Sequence, residues 1–234
     1  MPDFAEPLMV KYLHEKGVRE GIPVSGTFEL TQRCNFNCEM CYVHDCKQKT
    51  DPLSAEDWLN LAAQAKDAGT VFLLLTGGEP LLQGDFVCEV FKSAKKEGIN
   101  TCLDTSGSII NDKTEALLQV TDHILLDIKY TNEEQYLENV GCSLSSVLEF
   151  LKLADKKKIP VTLRQVIIPT VNDNEENILK LRKLKEEYSC VDKIELLPFK
   201  KICQMKYDAL KIEFPFGDKD EPTKEEMEKL KRFL

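Results

Sequence analysis

Gly26-Thr27-Phe28-Glu29-Leu30-Thr31-Gln32-Arg33-Cys34-Asn35-Phe36-Asn37-Cys38-Glu39-Met40-Cys41 joins a β-leaning run to a loop with three cysteines in Cys-x3-Cys-x2-Cys spacing. Three thiolates from one short loop can hold three irons of a cubane and leave the fourth iron without a protein ligand. A small molecule can then bind that iron. A structural zinc site normally takes four protein ligands in paired Cys-x2-Cys form. Cys46 or the nearby His44 could supply the fourth, so zinc is the competing reading of this loop.

Outward from the loop, the next β-leaning run, 71–76, ends in Gly77-Gly78-Glu79-Pro80. Two glycines at a strand end let a ligand approach the backbone closely, and the exposed N–H and C=O groups there can bind an amino-acid moiety. Alone, such a run is more often a turn than a site.

From residue 26 onward, β-branched or leucine-rich runs alternate with helical patterns, as in repeated βα units around a parallel sheet. The expected strands are 26–30, 71–76, 100–104, 123–129, 161–168 and 193–197. Ser54 with Asp57 opens one helix, Val87, Val90, Phe91 and Ala94 form the apolar stripe of another, and Thr223 with Glu226 makes a capping box for a third. Residues 132–138, 143–157 and 174–187 follow the same helical pattern, whereas 214–222 reads as an acidic loop with two prolines. Six βα units are too few for a standard eight-stranded barrel, so the expected fold is α/β, an open partial (β/α)6 TIM-like barrel. Its chemistry would lie at the C-terminal strand ends. One domain, 26–234, preceded by an extension, 1–25, is the expected organisation.

The 234 residues are 42% apolar and 30% charged, enough for one folded core. No apolar run approaches the roughly 18 residues of a membrane span, and the first residues lack a basic region followed by an apolar stretch, so a cytoplasmic protein is expected. In that compartment nine cysteines are read as metal ligands or buried thiols rather than as disulfides. Cys88, Cys102, Cys142, Cys190 and Cys203 lack ligand spacing and read as buried small hydrophobes. With a net charge of −9 and no basic stripe, nucleic acid is a poor partner.

The cysteine loop and Gly77-Gly78-Glu79-Pro80 together resemble the two marks of the radical S-adenosylmethionine (SAM) superfamily. The resemblance implies the radical SAM fold and a [4Fe–4S] cluster on Cys34, Cys38 and Cys41, with SAM chelating the open iron. It also implies that Gly78 holds the methionyl amino group, that Met40 packs near the adenine, and that Tyr42, Gly77 and Glu79 belong to the same cofactor site. Met40 stands where the family usually has an aromatic residue.

From about Leu81 to the C-terminus the sequence resembles the pyruvate formate-lyase activating enzymes, in 95–99 (KKEGI), 101–105 (TCLDT), 125–129 (LLDIK) and 193–198 (KIELLP). This resemblance implies that Asp104, Asp127 and Lys129 line the SAM site, with Lys129 reaching the methionyl carboxylate and a monovalent cation near the two aspartates. Arg164, like these three, falls at or near an expected strand end, where a barrel places its chemistry, and Lys129 and Arg164 are the expected catalytic residues. Lys200 stands where that family often has a histidine approaching SAM. The implied partners are a glycyl radical enzyme of the pyruvate formate-lyase type and flavodoxin or ferredoxin as electron donor.

The first 82 residues resemble a different branch, the peptide-modifying radical SAM enzymes, in 29–34 (ELTQRC) and 73–82 (LLLTGGEPLL). The chain thus reads as two halves joined near Leu82, of natural or laboratory origin. The alternatives to an activase are a peptide-modifying enzyme and a cluster-binding chimera without turnover.

Overall fold

The computed structural model describes residues 8–29, 53–76, 78–96, 98 and 100–234. They divide between two compact units, one ending at Gly78 and the other running from Glu79 to Leu234.

The first unit holds α1 (Leu8–Glu20), β1 (Ser25–Glu29), α2 (Ala55–Asp67) and β2 (Phe72–Thr76). β1 and β2 pair in parallel, with Ser25 opposite Phe72 and Glu29 opposite Thr76. At the start of α2, Asp57 N–H donates to Ser54 Oγ at 3.2 Å and Ser54 N–H to Asp57 Oδ2 at 3.0 Å, so the expected capping box forms. Trp58 packs on Phe28, ring centroids 5.0 Å apart, which accounts for it as packing. α1 lies where the sequence suggested only an extension. Tyr12 is 56% and Val18 87% exposed, so these two residues add nothing to an apolar stripe of the kind by which periodicity finds helices.

The second unit begins with a 3-10 turn at 80–83 and α3 (Gly84–Lys96). β3 (Cys102–Thr105), α4 (Thr114–Leu118), β4 (His123–Asp127), α5 (Glu133–Val140), α6 (Leu144–Lys157), β5 (Val161–Ile167), α7 (Glu175–Glu187) and β6 (Val191–Pro198) follow, then α8 (Gln204–Leu210) and α9 (Lys224–Lys231). The strands form one parallel sheet in the order β3-β4-β5-β6. Side chains alternate between its faces. Leu103, Ile124, Leu126, Leu163 and Ile167 turn to one face, fully buried in a core with Phe91, Tyr136, Phe150, Leu151 and Leu181. Each such Leu, Ile or Phe contributes about 1.5–3 kcal/mol by leaving water, so cohesion comes from this side. Asp104, Asp127 and Arg164 turn to the other.

The same alternation corrects one expectation. Cys102 is exposed rather than buried, because β3 places it on the face of Asp104 while Leu103 and Thr105 take the core positions. Cys88 and Cys190 are buried as expected, and Cys142 is half-buried. Burial pushes the Cys190 thiol up to about 12 and the Cys142 thiol up to about 11, so both stay protonated and inert. The 214–222 stretch is a loop, yet Phe214 and Phe216 are buried in a second small cluster with Ile168, Phe199 and Tyr207.

Candidate active site

The sheet's register builds the site. Asp127 on β4 lies directly opposite Arg164 on β5, and Asp104 stands at the C-terminal end of β3. Arg164 donates from Nε and Nη2 to Asp127 Oδ1, at 2.9 and 2.8 Å. Its Nη2 also bonds Asp104 Oδ1, so one guanidinium bridges two carboxylates. Lys129, two residues beyond β4, donates from Nζ to Asp127 Oδ2 at 2.7 Å. Two anions and two cations thus meet on one face of three adjacent strands.

The two aspartates differ electrostatically. Burial pushes both carboxyls up, but at Asp127 the charges and hydrogen bonds of Lys129 and Arg164 outweigh it and hold the group below the usual carboxylate range. At Asp104 burial prevails over the pull of Arg164, helped by the charge of Asp127, and the group lies above that range. Burial disfavours the charge of Arg164, yet Asp127 and Asp104 together hold it above its ordinary value.

Beyond the sheet, side chains hold the exit of β4. Ile128 N–H still makes a ladder bond, to Arg164 O at 2.8 Å. Lys129 N–H donates to Tyr136 Oη at 3.2 Å, and Gln165 Nε2 donates to Lys129 O at 3.5 Å. Asn177 Nδ2 donates to Gln165 Oε1 at 2.6 Å and to Asn172 O at 2.9 Å, while Thr131 Oγ1 donates to Asn177 Oδ1 at 2.8 Å. Sequence reading missed Tyr136, Gln165 and Asn177. One signal was present: Gln165 falls between Leu163 and Ile167, at a position that strand alternation assigns to the apolar face.

Glu79 is 2% exposed, and its carboxylate is occupied by protein donors. Oε1 accepts from Leu81 N–H at 3.1 Å and Thr105 Oγ1 at 2.6 Å, and Oε2 accepts from Ser106 N–H at 3.0 Å and from Ser106 Oγ. A contact from this residue to a ligand would therefore fall to its backbone. The preceding Gly78 has φ 57°, the left-handed region that favours glycine. Lys200 pairs with Glu221, Nζ to Oε2 at 2.6 Å. Cys34, Cys38, Cys41, Met40, Tyr42 and Gly77 lie outside the described residues. Among the described residues no group of three or more His, Cys, Asp or Glu is placed to hold a metal ion, and no helix is long and apolar enough to cross a membrane.

The side chains of Asp104, Asp127, Lys129 and Arg164 are between 17 and 34% exposed, partly open to a ligand. An ammonium beside paired carboxylates fits a zwitterionic α-amino acid, the chemistry of the methionyl end of SAM.

Parallel strands alternating with helices, with Asp104 and Asp127 at C-terminal strand ends and Arg164 midway along β5, define an α/β protein of the βα-repeat class. The radical SAM superfamily model matches residues 28–182, and the chain belongs to that superfamily. It is 37% identical over 161 residues to pyruvate formate-lyase 1-activating enzyme of Escherichia coli strain K12, covering 68% of this chain and 65% of that enzyme. The chain thus spans slightly under two thirds of the length of that relative. It is 31% identical over 227 residues to the pyruvate formate-lyase-activating enzyme of Clostridium pasteurianum, covering 95% of this chain and 94% of that one. Both the family match and this second alignment cross Leu82, where the two sequence resemblances meet. Among solved structures, Streptococcus suis SuiB bound to precursor peptide SuiA superposes with a TM-score of 0.71 at 16% identity, over 96% of this chain and 50% of that one. This likeness shows a shared radical SAM fold, the fold class expected from the sequence.

Proposed function

We propose that the protein is a radical SAM activating enzyme that removes an α-hydrogen from one glycine of a glycyl radical enzyme, of the pyruvate formate-lyase type. The observation that carries this reading is the ion cluster of Asp104, Asp127, Lys129 and Arg164, the first three at positions for which resemblance to the activating enzymes implies SAM contact. Cys34, Cys38 and Cys41 would hold a [4Fe–4S] cluster, and Cys46 would be dispensable. When bound, the cluster and SAM supply a 5′-deoxyadenosyl radical by reductive cleavage of the S–C5′ bond.

The chain's own residues bind and orient. Lys129 would meet the methionyl carboxylate, while its bond to Asp127 fixes the ammonium. Arg164 stiffens the floor of the site by joining β3 to β4 through Asp104 and Asp127. Backbone groups of Gly77, Gly78 and Glu79 would receive the methionyl amino group, with Met40 and Tyr42 near the adenine. A monovalent cation beside Asp104 and Asp127 would share those carboxylates with Arg164. Lys200 would reach SAM only by leaving Glu221. The remaining parts of the reading are a single partial-barrel domain over 26–234, a cytoplasmic setting, and flavodoxin or ferredoxin as electron donor.

Anaerobic reconstitution with iron and sulfide, then reduction and chromatography for 5′-deoxyadenosine, tests the SAM chemistry. Adding pyruvate formate-lyase should give a glycine-centred radical signal; 5′-deoxyadenosine without that signal would count against this substrate. Cluster assembly without any 5′-deoxyadenosine would leave a binding protein.

The likeness to SuiB favours a second reading, a peptide-modifying radical SAM enzyme. Iron content separates the two, since one cluster means about four irons and an auxiliary cluster adds at least two.

A further inference from the structure

We propose that Tyr136, Gln165 and Asn177 are positioning residues for Lys129, fixing its peptide unit so that the ammonium stands where a ligand carboxylate must meet it. The inference rests on the reading of Lys129 as a SAM contact.

Within β4 the backbone is held by ladder bonds, but the ladder ends at Ile128. Past that point buried backbone groups must find other partners or lose free energy. Lys129 N–H finds Tyr136 Oη, and Lys129 C=O finds Gln165 Nε2. Tyr136 Oη also donates to Asp127 O at 3.5 Å, so one phenol spans the backbone from the aspartate to the lysine that pairs with it. Asn177 then holds Gln165, and through Thr131 it holds the chain two residues further on.

Tyr136, Gln165 and Asn177 are 0, 2 and 6% exposed. Apolar side chains would serve packing there as well or better, because buried amides stabilise a fold only when every bond is made. All three instead converge on residues 127–131, the segment that carries the ion cluster. A displacement of about 1 Å at a binding group can cost a hundredfold in rate, which makes such a grip consequential.

Two variants and one control test this. In Tyr136→Phe without cofactor, hydrogen exchange of the Lys129 amide should quicken about tenfold or more while the Leu126 amide keeps its protection. After reconstitution, the same variant should bind SAM about tenfold more weakly, the loss of roughly one buried hydrogen bond. Gln165→Met removes the bond to Lys129 O and the bonds between Gln165 and Asn177 but leaves Asn177 its bonds to Asn172 and Thr131; it should lower the unfolding midpoint about as Val147→Ala does and, unlike Val147→Ala, bind SAM several-fold more weakly. Val147→Ala, a cavity in the same core, should lower the midpoint and leave SAM affinity unchanged.

The proposal fails if the Lys129 amide exchanges at the wild-type rate in Tyr136→Phe, or if Val147→Ala weakens SAM as much as either variant. Lys129→Met separates it from the reading beneath it. Unchanged SAM affinity in Lys129→Met removes the ligand role of Lys129, and the proposal with it. Weakened affinity in Lys129→Met but not in Tyr136→Phe or Gln165→Met overturns the positioning role alone.

Discussion

Arg164 sets both Nε and Nη2 on one oxygen of Asp127, at 2.9 and 2.8 Å, whereas Nη2 alone serves Asp104. A planar guanidinium can hold two carboxylates on adjacent strands at once; a lysine ammonium has no such fork. Arg164→Lys should therefore lose much of the bridge, and Arg164→Met should destabilise by about 3 kcal/mol because it takes from the partly buried Asp104 its guanidinium and leaves Asp127 with Lys129 alone. Urea midpoints of the two variants check this, and equal stability of wild type and Arg164→Met would count against the bridge.

Asp104 and Asp127 should give pH dependences of opposite sign. The Asp127 carboxyl titrates below its unfolded value, so its contribution is in place above the ordinary carboxylate pKa and is lost as pH falls through the folded one. Asp127→Asn should cost about 2 kcal/mol at pH 7 and approach wild type in strong acid. The Asp104 carboxyl titrates above its unfolded value, so folding grows less favourable as pH rises from the ordinary value through the folded one. Asp104→Asn should then match or exceed wild type at pH 7. Urea titrations from pH 3 to pH 7 read both.

Glu79→Gln swaps an acceptor for a donor facing the Ser106 N–H, which now bonds Oε2 at 3.0 Å. One buried N–H is left unsatisfied, at about 1–3 kcal/mol. Thermal unfolding should show the loss, while Glu89→Gln on the solvent face of α3 should show almost none; parity between them would mean that the Glu79 bonds are unimportant.

Gly107 has φ 66°, and a Cβ there would lie 2.7 Å from Leu126 Cδ1 and 3.0 Å from Phe150 Cδ1. Gly98 has φ 72° with nothing within 4 Å. Gly107→Ala should accordingly cost about 2–4 kcal/mol, backbone strain plus overpacking, and Gly98→Ala only the strain of about 1–2 kcal/mol. Denaturant midpoints of the pair isolate the steric part by difference.

Much of this arrangement was legible in the sequence, for identifiable reasons. Asp104, Asp127 and Arg164 fall on period-two patterns whose other positions are Leu103, Leu126 and Leu163, so their common face follows from alternation alone. The helix starts at Ser54, Asn132, Asn174 and Thr223 were readable because capping is local chemistry. β6, expected at 193–197, extends to Val191–Pro198, because pairing with β5 recruits the flanking residues, Val191 opposite Val161 and Pro198 opposite Ile167. Gln165 and Asn177 escaped notice because they reach Lys129 and Thr131 across 36 and 46 positions of sequence, and a buried amide network has no short-range signature; Tyr136, 7 positions from Lys129, reads from its helical spacing only as an apolar core residue. The partner of Glu79 was hidden for the same reason, since Ser106 lies 27 residues away.

On β3, β4 and β5 the core and the charge cluster are written in alternate letters of the same strands. Adding or deleting one residue within β4 would send Asp127 toward Phe150 and turn Leu126 outward, damaging cohesion and recognition in a single event. The connections between strands carry no such rule. Length variation in this lineage should therefore collect in the loops, while the spacing from Asp127 back to His123, and from Arg164 back to Val161, stays fixed to the residue.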